Sequence, residues 1–150
     1  MKFNSAAVIL ARSLSDSTLS LRLAMKHYMQ KKITDQKIDL TFEMLQVLIV
    51  LWERGEVNQQ QIADKLQKNK ASLTSLLDNL SKRDLVKRQE DPVDRRNKSI
   101  VLTSTGLAYQ TLFKPILDEF YQALNKDMAT GELEKLVGTL KRVIKNLETE

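Results

Sequence analysis

Apolar residues recur mostly at intervals of three and four along this chain, the spacing of one face of a helix. Near the N-terminus the pattern includes Leu10, Leu14 and Tyr28. It predicts one or two amphipathic helices that end near the polar run 31–39. Because glycine (4) and proline (2) are scarce, we expect a predominantly helical chain without low-complexity linkers.

Three polar residues mark the starts of further helices. Thr41 is a predicted N-cap for a core helix that Gly55 ends. Asn58 lies three residues before Gln61, which is the spacing of a capping box and predicts a short helix. Asn69 can cap the next helix, whose apolar side is formed by Leu73, Leu76, Leu77 and Leu80. Two helices separated by about three polar residues predict a helix-turn-helix.

The hydrophobic period changes after this helix pair. Segments 85–90 and 98–102 both have the composition of strands, and Asp91, Pro92 and Asn97 between them favour turns. The pattern therefore predicts a β-hairpin with Arg95 and Arg96 at its tip.

Two helices are predicted for the rest of the chain. Thr103 can cap a long helix from residue 104 to about 127, which Pro115 is expected to kink. A last helix from about Thr130 carries a packing seam that includes Leu133, Leu140 and Leu147.

This order of elements predicts a mainly α fold with a small β-hairpin wing (α+β), namely a winged helix-turn-helix flanked by terminal helices. We assign residues 1–38 to N-terminal dimerisation helices, 39–106 to the winged domain, and 107–150 to C-terminal helices that complete the dimerisation region.

The positive charge is concentrated in the predicted winged domain. The net charge is +5 and the pI about 9.4. Between residues 65 and 98 there are ten Lys or Arg against five acids, so the whole excess lies in this segment. Such a localised surplus favours a polyanionic partner, and we expect double-stranded DNA.

The side of the second helix opposite its leucines is the expected DNA-contacting face. Short side chains there allow close approach to base edges in the major groove. The candidates are Lys70, Ala71, Ser72, Thr74, Ser75 and Asp78. The alternative is an ordinary polar helix surface without a role in binding. The neighbouring hairpin with arginines at its tip argues against this alternative.

The hairpin tip is the expected minor-groove probe. Guanidinium groups are attracted to the negative potential of a narrow groove, and Asp94 can hold an arginine by a paired hydrogen bond. A solvated, salt-bridged turn is the alternative for Arg95 and Arg96. Residues expected to neighbour phosphates are Lys68, Lys82, Arg83, Lys87, Arg88 and Lys98.

From residue 40 to 106 the chain resembles the multiple-antibiotic-resistance-regulator (MarR) family of bacterial winged-helix transcription factors. The resemblance lies in LTFEMLQVLIVLW, in QQQIADKLQKNKASLTSLLDNLSKRDLVKR, and in DPVDRR followed by LTSTG. It matches Asp94 and Arg96 to the family's wing pair. Gln67, Lys68 and Asp84 depart from the pattern: Gly and an apolar residue are usual at the first two positions and Gly at the third.

The terminal helices carry more apolar surface than a small winged domain needs, so we expect a homodimer through Leu10, Leu14, Leu133, Leu140 and Leu147. Packing of the two ends on each other within one chain is the alternative, whereas the resemblance implies that the terminal helices of two chains form one intertwined unit. The two-fold symmetry of such a dimer predicts a pseudo-palindromic operator, and we expect a repressor. The resemblance implies a cleft for a small effector. Its candidate lining residues are Met25, His27, Tyr28 and Trp52, although each also suits an ordinary core or helix position.

An enzyme is disfavoured, because there is one histidine, no cysteine and no phosphate loop or HExxH spacing. We expect no cofactor, no metal and no membrane segment, and a cytoplasmic protein. A winged-helix module that binds another protein rather than DNA is the stronger alternative.

Overall fold

The computed structural model describes residues 5–96 and 98–149, in which six helices and three short strands follow one another. In chain order these are α1 (Ala6–Asp35), α2 (Phe42–Arg54), β1 (Val57–Asn58), α3 (Gln59–Leu66), α4 (Lys70–Lys82), β2 (Val86–Glu90), β3 (Lys98–Leu102), α5 (Ser104–Leu124) and α6 (Thr130–Glu148). The mainly α fold with a small β wing is confirmed. The turn role expected of Asn97 lies outside the described residues.

The predicted caps account for where the central helices begin. Thr41 Oγ1 accepts the backbone N–H of Met44 at 3.2 Å. Asn58 and Gln61 form the reciprocal capping box, each side chain accepting the other's backbone N–H at 2.8 and 3.0 Å. Asn69 Oδ1 accepts the N–H of the residue three positions on at 2.8 Å. Helix starts in this region are therefore set by local side-chain chemistry.

A small apolar core holds the winged part together. It includes Leu45 and Leu48 of α2, Ile62 of α3, and Leu73 and Leu77 of α4, all fully buried. The described residues include no buried polar or charged side chain in this core. Burial of the leucine face of α4 leaves the opposite face of that helix toward solvent.

The wing is part of a three-stranded antiparallel sheet in the order β1–β3–β2. The predicted hairpin of β2 and β3 is confirmed, with Arg88 opposite Ile100. Strand β1 was missed, because two residues after a helix are too short to show a strand pattern. Val57 pairs with Ile100, so β1 anchors the wing to the segment before α3.

Two departures from the family pattern occupy left-handed backbone. Gln67 has φ 52° at the C-cap of α3, and Asp84 has φ 55° just before β2. This conformation costs a residue with a side chain roughly 1–2 kcal/mol, although Asp pays less than most. The fold therefore keeps the turn geometry and places strain at both positions.

Gln67→Gly should consequently stabilise the chain. We expect the free energy of unfolding to rise by up to about 1 kcal/mol, because Gly adopts a positive φ without a steric penalty. Urea unfolding measures the change. The control is Gln60→Gly inside α3, which should lower stability by about 1 kcal/mol; equal effects of the two substitutions would contradict the assignment of strain to residue 67.

Helix α5 begins as predicted, with Thr103 Oγ1 accepting the N–H of Gly106 at 3.0 Å. It continues through Pro115 and ends at Leu124, three residues earlier than expected. The kink remains a prediction. The chain divides into two compact units, residues 1–113 and 114–150. The functional division at residues 38 and 106 also remains a prediction.

The terminal helices expose much apolar surface. Leu10 of α1 is 69% exposed and Leu147 of α6 is 79% exposed, and α6 contains no buried residue. The N-terminal helix is a single helix of 30 residues. Among the described residues, no helix combines the length and apolarity needed to cross a bilayer.

Candidate nucleic-acid interface

The outer face of α4 has the orientation that the leucine pattern predicted. Lys70, Ala71, Ser72 and Ser75 are exposed on it. On the opposite side Leu73, Leu77 and Leu80 are buried and Leu76 is half-buried. A depression of about 650 Å³ follows this face from Lys70 to Lys82. Four of the six candidate contacts therefore have side chains open to solvent.

Thr74 is more constrained than its neighbours. Its hydroxyl donates to the carbonyl of Lys70 at 2.8 Å and accepts Gln59 Nε2 at 2.8 Å. The half-buried Thr74 therefore fastens the start of α3 to the middle of α4. Sequence reasoning missed Gln59, because this contact joins residues on different helices.

Asp78 is paired with a basic residue of the wing. Arg88 Nη2 lies 2.7 Å from Asp78 Oδ1, so the carboxylate on α4 holds a guanidinium from β2. The Asp78 side chain is 48% exposed and the Arg88 side chain 33% exposed. This ion pair connects the candidate recognition helix to the wing and neutralises the one acid on the α4 face among the described candidates.

The wing tip is organised by two successive turns of the aspartate type, in which a carboxylate accepts nearby backbone N–H groups. Asp91 Oδ1 accepts the N–H of Val93 at 2.8 Å and of Asp94 at 3.3 Å. Asp94 Oδ1 accepts the N–H of Arg96 at 3.0 Å. We expected Asp94 to hold an arginine side chain; the contact in the structure is to the Arg96 backbone instead. A short acid-rich turn satisfies its own N–H groups first, because they lie within three residues of the carboxylate.

One concave surface of about 480 Å³ brings the two basic elements together. Its cationic lining consists of Lys70 from α4 and Arg88, Arg96 and Lys98 from the wing. Thr74 and Gln59 lie in the same surface. We call this surface the basic cleft. Cationic residues separated by up to 28 positions thus form one positively charged concavity, whereas Arg95 is exposed at the tip beside it.

The remaining phosphate candidates lie apart from this cleft. Lys82 is exposed at the far end of the α4 face. Lys68 is close enough to Glu43 to favour its ionised form. Arg83, also expected near phosphate, is instead bound to Asp39 and Asn79. Their roles in DNA binding stay predictions, and for Arg83 the contacts indicate another role.

The candidate residues for an effector site differ in exposure and in their contacts. His27 is exposed, Met25 is half-buried, and the Lys32 ammonium lies 5.6 Å from the Tyr28 ring centre. Trp52 donates from Nε1 to the carbonyl of Gly106 at 3.0 Å. The indole is thus part of the packing of the winged unit, and the effector site remains a prediction.

The candidate dimer contacts differ in exposure. Leu10, Leu14 and Leu147 are exposed, whereas Leu133 and Leu140 are half-buried. Within residues 5–96 and 98–149 no group of acidic and histidine side chains is arranged to hold a metal ion.

Comparison with known proteins agrees with this geometry. Residues 40–98 match the sequence model of the MarR family. The HTH-type transcriptional regulator SarZ of Staphylococcus haemolyticus is 29% identical over 140 residues, covering 89% of this chain and 94% of the relative. The crystal structure of the S. aureus MepR–DNA complex has a TM-score of 0.77 and 27% identity, covering 88% of this chain and 96% of MepR. AbfR of Staphylococcus epidermidis has a TM-score of 0.81, covers 96% and 97% of the two chains, and at 23% identity shows likeness of fold alone.

Proposed function

We propose that this chain, whose residues 40–98 match the sequence model of the MarR family, is a transcriptional regulator of that family and binds a pseudo-palindromic DNA operator as a homodimer. In the proposed complex α4 enters the major groove and an arginine of the wing enters the adjacent minor groove. MepR, a similar protein, has been solved bound to DNA.

The observation that carries this proposal is the basic cleft. Lys70 on α4 and Arg88, Arg96 and Lys98 on the wing line one concavity, as a duplex backbone crossing between helix and hairpin requires. An α-helix fits the major groove, and the exposed short side chains of Ala71 and Ser75 allow close approach to base edges. The Arg88–Asp78 pair holds the two contacting elements in a fixed relation.

A dimer is supported by the exposed apolar residues of both terminal helices. Surfaces of this kind on a soluble chain mark association sites, and a two-fold dimer matches the symmetry of a pseudo-palindromic operator. We propose half-site centres one helical turn, or about 10 base pairs, apart.

Leu140→Glu combined with Leu147→Glu should therefore shift the protein to monomers at micromolar concentration, because two carboxylates would replace apolar contacts between the chains. Light scattering after size-exclusion chromatography measures the mass. The control is Val93→Glu, which adds a charge at a wing position that is 94% exposed. A monomeric wild type, or a double variant that remains dimeric, would contradict the proposed interface.

Binding to duplex DNA should weaken steeply with salt. Neutralised phosphates release counterions, so about 6–10 phosphate contacts per dimer would cost roughly 10³- to 10⁵-fold in affinity between 50 and 200 mM salt. Titration of a labelled duplex at several salt concentrations measures the slope. Lys98→Ala should reduce the slope by about one for each phosphate that the lysine neutralises in the wild type, whereas Lys126→Ala, outside the basic cleft, should not change it.

We further propose a cytoplasmic repressor whose operator is released when a small molecule binds. The alternative function, a winged helix that binds another protein, fits the fold equally well. A protein-binding winged helix does not require cations from the helix and the hairpin to line one cleft, so the basic cleft favours DNA binding. Duplex binding that is absent or insensitive to salt would favour this alternative.

A further inference from the structure

Arg83, the C-cap residue of α4, reaches across to the turn between α1 and α2. Its Nε donates to the Asp39 carbonyl at 2.9 Å and to Asp39 Oδ2 at 3.1 Å, and Nη2 donates to Asp39 Oδ1 at 3.2 Å. Its Nη1 donates to the Asn79 carbonyl at 3.0 Å. One guanidinium therefore donates hydrogen bonds to a carbonyl in the last turn of α4 and to both the backbone and the side chain of Asp39.

The turn that Arg83 holds is itself fixed to α1. Gln30 of α1 accepts the N–H of Phe42 through Oε1 at 2.9 Å. Lys26 of α1 lies 2.6 Å from the carboxylate of Glu43 in α2. Partial burial opposes ionisation of Glu43, but the hydrogen bond and charge of Lys26 outweigh it and hold the Glu43 pKa below its usual value. Polar contacts thus run from α1, through the turn, to the end of α4.

The geometry suits positioning better than stabilisation. Asp39 is 87% exposed, and exposed ion pairs contribute only about 0–1 kcal/mol to folding. A planar guanidinium nevertheless fixes the relative direction of the two groups, because its parallel N–H donors match only one orientation of the carboxylate.

We propose that Arg83 is a positioning residue that sets the direction of α4 relative to α1, and thereby the half-site spacing that the dimer accepts. This inference rests on the proposed function, in which α1 belongs to the dimer interface and α4 to the DNA interface. A small change in the angle between them moves the two copies of α4 apart or together, whereas the spacing of half-sites on DNA is fixed.

Asp39→Ala tests the proposal at an exposed residue, where folding is least at risk, and Arg83→Met provides the second variant. The preferred half-site distance is first found by selecting bound duplexes from a random pool. Affinity is then measured for duplexes with this selected distance and with one base pair more or fewer. Thermal stability and the dependence of affinity on salt (the salt slope) are measured as well. The control is Asp118→Ala, which breaks the exposed ion pair with Lys114 (2.8 Å) elsewhere in the chain.

We expect Asp39→Ala and Arg83→Met to lower the preference for the selected spacing by about two- to fivefold, the scale of one exposed ion pair. The salt slope and the dimer should not change, and Asp118→Ala should keep the wild-type preference. A lowered thermal stability with an unchanged spacing preference would overturn the inference. So would tighter binding and a steeper salt slope in Asp39→Ala, because a released Arg83 would then be contacting phosphate. In both results the wild type binds and the proposed function survives; a wild type that binds no duplex would overturn both.

Discussion

Arg96→Ala is expected to weaken binding to a duplex selected from a random pool by about 10- to 100-fold for each wing that contacts the DNA, and to leave the dimer intact. A hydrogen bond to a charged group contributes about 1.5–3 kcal/mol, and each factor of ten corresponds to about 1.4 kcal/mol. The Arg96 side chain is exposed, so its removal leaves no cavity in the folded protein. Its backbone N–H, which Asp94 accepts, is also retained. The measurement is titration of labelled duplex at constant salt, with the dimer mass checked by light scattering.

Arg95→Ala is the matched control, because it removes the same charge from the adjacent position outside the basic cleft. We expect it to weaken binding by less than tenfold, as a rim phosphate contact would. A larger effect at Arg95 than at Arg96 would assign the groove to the other arginine. No effect at either position would contradict the use of the wing in binding.

Gly106→Ala is expected to have the largest effect on folding. A Cβ at this position would lie 2.0 Å from the backbone oxygen of Leu85. That oxygen cannot move away freely, because it accepts the N–H of Thr103 at 3.1 Å. Gly106 is held on its other side, where its own carbonyl accepts Trp52 Nε1. The clash therefore falls between two pieces of backbone rather than on a flexible side chain.

We expect Gly106→Ala to cost about 3 kcal/mol or more, at the upper end of measured overpacking. For a chain of this size that corresponds to a fall in melting temperature of roughly 6–12 °C or to failure to fold. Thermal unfolding followed by circular dichroism measures it. Gly131→Ala is the control, since a Cβ there meets nothing within 4 Å; similar melting temperatures for the two variants would contradict the close approach at Leu85.

Much of the fold was predictable because the signals are local. The caps at Thr41, Asn58 and Asn69 each act within three residues, and the leucine spacing of α4 fixes its buried side without knowledge of any partner. The hairpin was predictable for the same reason, since β2 and β3 are neighbours in the chain. Strand β1 was not, because its two residues become a strand only by pairing with β3.

The candidate interface was predictable in composition but not in connectivity. The charge surplus and the arginine-tipped hairpin identified the segment that forms the basic cleft. Sequence spacing gave no sign that Gln59 binds Thr74, that Asp78 holds Arg88, or that Arg83 is bound to Asp39 across 44 positions. Such pairs depend on how helices cross, so equally charged residues in one run acquire different roles only in the folded chain.

A hydroxyl-radical footprint on a duplex selected from a random pool tests the central claim most directly, because this cleavage reports the exposure of each sugar along both strands. We predict two equivalent protected regions related by two-fold symmetry, with centres about 10 base pairs apart, and a further protected minor-groove segment beside each that disappears with Arg96→Ala. A single asymmetric region, or a footprint that Arg96→Ala leaves complete, would contradict the proposed mode of binding.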